Sequence, residues 1–158
     1  MPDTLIIADR DLDQAQATLL AIRNAGVDYP IYYVRSSAAL INRLSTPAPK
    51  SPRPSAILID IALLRECAPE LRRWLHAPDA PPIEVTALLS SERERFQLEQ
   101  CGFGQIGHLV RPVRSMDALR LLGVRAKSRT PQAGHPRLLW PARPAHVTRP
   151  QVVPHHLR

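Results

Sequence analysis

Four groups able to do chemistry each follow a short apolar run. Thr4-Leu5-Ile6-Ile7-Ala8 leads into Asp9-Arg10-Asp11, Ala56-Ile57-Leu58-Ile59 into Asp60, Ile83 to Leu89 into Ser90-Ser91, and His108-Leu109-Val110 into Arg111. The Ala56 to Ile59 run, unbroken by alternation, reads as a strand buried on both faces, as in a parallel sheet, and the other three also read as strands, so their terminal polar groups belong at the strand mouths, near water. In open α/β sheets that edge is where ligands gather. Asp9 and Asp60 converging there would make a Mg²⁺ site, because Mg²⁺ binds through one or two carboxylates plus water and phosphate oxygens. Asp11 is a further candidate ligand. A cation at Arg111 and a hydroxyl at Ser90 would hold the oxygens of a phosphoryl group. The plainer alternative makes Asp60 an N-cap or turn residue.

The elements that must carry these residues follow one another regularly. After Asp9-Arg10-Asp11, the residues Leu12, Ala15, Leu19 and Ile22 recur at helical spacing, with Asp11 or Asp13 as cap and Asn24-Ala25-Gly26 as the stop. Ile31 to Val34 is a second strand. Ser36 or Ser37 caps a short helix with Leu40, Ile41 and Leu44 inward. Ser45 to Ser55 holds four prolines in eleven residues, which excludes a helix or central strand and reads as a solvated polyproline-type loop. After the Asp60 strand, Pro69 starts a helix whose clearest part is Glu70 to His76. A linker, Ala77 to Pro82, precedes the fourth strand. Ser90 or Ser91 caps a helix carrying Phe96, Leu98 and Cys101, and Ser115 caps the last one, with Met116, Leu119 and Leu122 inward. Five βα units predict a five-stranded parallel sheet, doubly wound, with right-handed crossovers.

The 158 residues suffice for one domain with a core plus an appendage. The net charge of +7 misleads about its location. Seven bases and no acid lie between 123 and 158, and the rest of the chain balances 14 bases against 14 acids. The expectation is a neutral domain over 3–124 and a basic, proline-rich, disordered tail over 125–158. His155-His156 in that tail is given no function. No apolar run approaches the roughly 18 residues of a membrane span. The Met-Pro-Asp start is not a signal peptide, and Cys67 and Cys101 lack metal-ligand spacing. A cytoplasmic protein with two buried, reduced thiols is expected.

The order of elements, Ile57-Leu58-Ile59-Asp60, the acidic cluster after the first strand, and Leu109-Val110-Arg111-Pro112-Val113 together resemble the receiver domain of bacterial two-component response regulators. The resemblance covers about residues 3–124. The steps of 30 residues from Asp60 to Ser90 and 21 from Ser90 to Arg111 agree with it. It implies a flavodoxin-like fold, Asp60 as phosphoacceptor, Mg²⁺ at Asp9 and Asp60, and phosphate reading by Ser90 and Arg111. Thr86-Ala87 also looks like the family's hydroxyl pair, so Thr86 stands as the alternative to Ser90. It further implies a carbonyl ligand at Ala62 and a switch position at His108.

Several positions depart from the pattern. One of the paired acids is Arg10, the lysine is Arg111, and Leu63-Leu64-Arg65-Glu66 replaces the usual proline and glycine. Two readings of one family role stay open. The first is a stand-alone receiver-type signalling protein, not an enzyme, of a two-component or phosphorelay pathway. It would be phosphorylated by a histidine kinase or phosphotransfer protein, with output to a protein partner through the helix 4–strand 5–helix 5 face. The second is a pseudo-receiver interaction module with Arg10 in the metal site, paired to Asp60 or Asp9. A third, a nucleic-acid-binding adaptor, rests on the tail arginines, but the tail lacks aromatics for base stacking apart from Trp140.

Overall fold

The computed structural model describes residues 4–46 and 54–126. The proline-rich loop and nearly all of the basic tail lie outside them, and with them the expectations of disorder and of nucleic-acid binding. The elements are β1 (Leu5–Ala8), α1 (Leu12–Asn24), β2 (Ile31–Val34), α2 (Ser37–Ser45), β3 (Ala56–Asp60), α3 (Ile61–Leu75), β4 (Glu84–Leu89), a 3₁₀ turn (Glu92–Glu94), α4 (Arg95–Gln100), β5 (Gly107–Val110) and α5 (Ser115–Ala126).

The sheet is wholly parallel, in the order β2-β1-β3-β4-β5. The order reverses between β1 and β3, so the crevice of a doubly wound sheet falls between Asp9 and Asp60. β1 and the first four residues of β3 are buried throughout, as their unbroken apolar runs require. Alternate strand residues supply two cores. Leu5, Ile7 and Leu58 pack with Ala15, Leu19 and Ile22 of α1 and with Ala118 and Leu122 of α5. Ile6, Ile57 and Ile59 pack with Leu40 and Leu44 of α2, Leu63, Leu64 and Leu71 of α3, and Leu98 of α4.

The helix ends follow local chemistry. Asp11 caps α1 by accepting from the backbone N–H groups of Asp13 and Gln14 at 2.9 and 3.2 Å. Ser36 caps α2 through the Ala39 N–H at 3.1 Å. Gly26 and Gly102, both with positive φ, close α1 and α4.

Three expectations are corrected. α3 starts at Ile61, directly after Asp60, and runs through Pro69. Burial of Ile61, Leu63, Leu64, Cys67, Ala68 and Leu71 along one face outweighs the hydrogen bond that Pro69 cannot donate. In α5 the inward residues are Ala118 and Leu122, whereas Met116 and Leu119 are exposed at 60% and 38%. Small Ala118, buried beside the α1 residues of the same core, lets α5 lie close to α1. Of the two thiols, Cys67 is buried and Cys101, at the end of α4, only partly so.

Candidate functional site

Three strand ends bring Asp9, Asp60 and Arg111 together. Asp9 is fixed by its backbone N–H, which donates to Val34 at 3.0 Å, and Arg111 by its own, which donates to Leu89 at 2.8 Å. Both guanidinium arms are engaged. Arg111 Nη1 donates to Asp60 Oδ1 at 3.0 Å, and Nη2 pairs with Asp9 Oδ2. The second oxygen of each acid is also occupied. Asp9 Oδ1 accepts from the Asp11 N–H at 2.9 Å, and Asp60 Oδ2 from the Ala62 N–H at 3.0 Å. Asp60 is therefore both the strand-mouth acid and the N-cap of α3, so the two alternatives read from the sequence coexist.

The cluster is well shielded, since the side chains of Asp9, Arg111 and Asp60 are only 2%, 12% and 13% exposed. A planar, permanently charged fork suits two carboxylates at once, which an ammonium point charge does not. Burial raises the Asp9 carboxyl above its ordinary value. The Asp11 N–H and the Arg111 charge pull it down, and Asp60 and Asp11 push it up; removal from water outweighs the pairing. Arg111 Nε is buried without a partner among the described residues.

Arg10 does not enter the cluster. It pairs with Glu66 of α3, whose other carboxylate oxygen accepts from the Ser37 hydroxyl at 3.2 Å. Because α3 starts at Ile61, Glu66 comes round to the rim of the mouth and takes Arg10 away from Asp60. Glu66 gave no signal in the sequence, because its part depends on where the helix begins. The expectation that Arg10 fills the metal position is corrected: the cation between the acids is Arg111.

Asp9, Asp60, Ser90 and Arg111 line one open depression of about 490 Å³, which Arg10 and Asp11 also border. Ser90 is exposed there, and its N–H donates to Glu94 Oε2 at 2.6 Å. Thr86 is buried inside β4, paired in register with Leu58 and Gly107, away from the mouth. His108 lies on β5, 3.3 Å from Glu92.

The donor set does not fit a resident Mg²⁺. Asp9 and Asp60 share a fixed cation, which opposes a second one at the same place. Asp11 spends one oxygen capping α1. Ala62 lies in the first turn of α3, where backbone carbonyls point along the helix towards its C-terminus and away from the mouth. Among the described residues there is no group of three or more His, Cys, Asp or Glu side chains that would hold a metal ion.

Solved structures share this architecture. The bacteriophytochrome response regulator RtBRR matches over 78% of this chain and 77% of its own, with a TM-score of 0.65 and 20% identity. The fold is that of response-regulator receiver domains. The phosphorylated cyanobacterial phytochrome response regulator RcpA aligns over 82% of this chain and 98% of its own, at 17% identity and a TM-score of 0.58. The Mn²⁺-bound response regulator Rcp1 aligns over 79% and 93%, at 18% identity and a TM-score of 0.57. No protein-family model and no curated protein matches the sequence. Among the described residues, no helix is long and apolar enough to cross a membrane.

Proposed function

We propose that this chain is a receiver-fold signalling protein of the pseudo-receiver type. Its acidic mouth is closed by an internal cation, and it works by protein–protein contact at the face formed by α4, β5 and α5. One observation carries this reading: a single guanidinium bridges Asp9 and Asp60. A carboxylate that accepts from Arg111 on one oxygen and from the helix backbone on the other is a weakened nucleophile, because whichever oxygen attacks phosphorus has its charge already stabilised by a hydrogen bond. The absence of any slack between β3 and α3 adds to this.

Phosphorylation of Asp60 by a histidine kinase or phosphotransfer protein, with Mg²⁺ at Asp9 and Asp60, is the second reading. The meeting of Asp9, Asp60, Ser90 and Arg111 at one open mouth favours it. The two part on Mg²⁺ titration and labelling with a small acyl phosphate of wild type, Asp60→Asn and Arg111→Lys. The first reading expects no labelling of wild type. Efficient Mg²⁺-dependent labelling that disappears in Asp60→Asn establishes the second.

A further inference from the structure

We infer that the outer edge of β5 is a docking site for an extended segment of a partner protein, which adds to the sheet as a sixth strand. This rests on the interaction-module reading and names the chemistry of the partner.

Among the described residues, β5 is the last strand of the sheet and pairs only with β4. The Arg111 N–H donates to Leu89 of β4. In a strand the backbone groups of successive residues point to opposite sides, so Leu109 also faces β4 while the N–H and C=O of His108 and Val110 face outward. None of these four groups has a hydrogen-bond partner among the described residues. An open row of donors and acceptors is a template for another strand.

The edge is also recessed. A groove of about 340 Å³ runs along His108, Leu109 and Val110, with Glu92 on one wall and Arg114 and Asp117 on the other. Glu92 is held by His108. Arg114, just before α5, and Asp117, in its first turn, form no ion pair among the described residues, and both line the groove. Alternate residues of an added strand face the same wall. The complementary occupant is therefore an extended peptide with an acidic and a basic side chain two residues apart, the acid against Arg114 and the base against Asp117. A second copy of β5 is a worse occupant, because a two-fold axis normal to the sheet sets Glu92 on the same face as its own copy.

The test is selection of a displayed library of random twelve-residue peptides against the whole chain. Wild type, His108→Pro, Val110→Pro and the double variant Arg114→Asp/Asp117→Arg are then compared. Proline removes outward-facing N–H groups at 108 and 110, a place where edge strands accept it; at 108 it also removes the imidazole that holds Glu92, so Val110→Pro is the cleaner of the two. The expected result is enrichment of extended sequences with an acid and a base at alternate positions. Binding should fall at least tenfold in either proline variant, and the double variant should prefer the reversed charge order. If a proline variant fails to fold, the charge reversal still decides the matter. Failure to enrich such peptides, binding indifferent to all the variants, or self-association of wild type through β5 overturns the inference. None of those outcomes bears on whether Asp60 is labelled by phosphate, so the two readings fail separately.

Discussion

Arg111 and Asp60 are separated by 51 positions in the sequence, yet Arg111 Nη1 lies 3.0 Å from Asp60 Oδ1 while the other arm holds Asp9. One side chain just past the end of β5 thereby ties together the ends of β1 and β3. Neutralising that side chain leaves two shielded carboxylates facing each other.

Arg111→Ala should destabilise the fold by about 3–5 kcal/mol, the range for removing one partner of a buried ion pair. Added Mg²⁺ should recover part of the loss, since the freed carboxylates then have room for a cation. Chemical denaturation with and without millimolar Mg²⁺ measures both effects. A variant as stable as wild type would show that the bridge contributes nothing.

Arg10→Asp should neither create Mg²⁺ affinity nor cost much stability. Arg10 and Glu66 are about half exposed, and exposed pairs of this kind are worth about 0–1 kcal/mol. Calorimetric titration with Mg²⁺ checks the first point and thermal melting the second. Tight Mg²⁺ binding by this variant would return Arg10 to the role read from the sequence.

Asp9 should make stability fall as pH rises from about its ordinary carboxyl value of 3.8. Its pKa is higher in the folded chain, so the native state binds a proton that the unfolded state has released. This contribution is fully favourable below the ordinary value and is lost as pH climbs through the raised one. Asp9→Asn removes the titration, and its stability should be flatter than that of wild type across that window. Parallel curves in denaturant series between pH 3.5 and 7 would contradict this.

Cys67 should resist alkylation in the native protein. Burial pushes its thiol up to about 11, and its Sγ donates to the Leu63 carbonyl at 3.2 Å. Partly exposed Cys101 should be the thiol that reacts at pH 8, with Cys67 following only on unfolding. Mass spectrometry after a timed iodoacetamide pulse distinguishes them.

The meeting of Asp9, Asp60 and Arg111 was legible because each follows a short apolar run, and the sheet because strand and helix patterns alternate five times. The start of α3 was not. Pro69 is a strong local signal for a helix beginning, and only the tertiary burial of Ile61 to Leu71 overrides it. The partner of Arg10 was hidden for the same reason, since Glu66 reaches the rim only if the helix begins at Ile61. In α5, Met116, Leu119 and Leu122 keep helical spacing as well as Ala118 and Leu122 do. Periodicity does not reveal that the small residue marks the close contact.

The immediate passage from β3 into α3 has a mechanical consequence. Asp60 ends the strand and caps the helix in one step, so no flexible joint separates them. A 15-residue helix is a rod of about 22 Å. Its far end is pinned where the Trp74 indole N–H donates to the Leu44 carbonyl at 3.1 Å. The Asp60 carboxylate and the contact with the end of α2 are thus the two termini of one continuous helix, packed along its length against the sheet and α2.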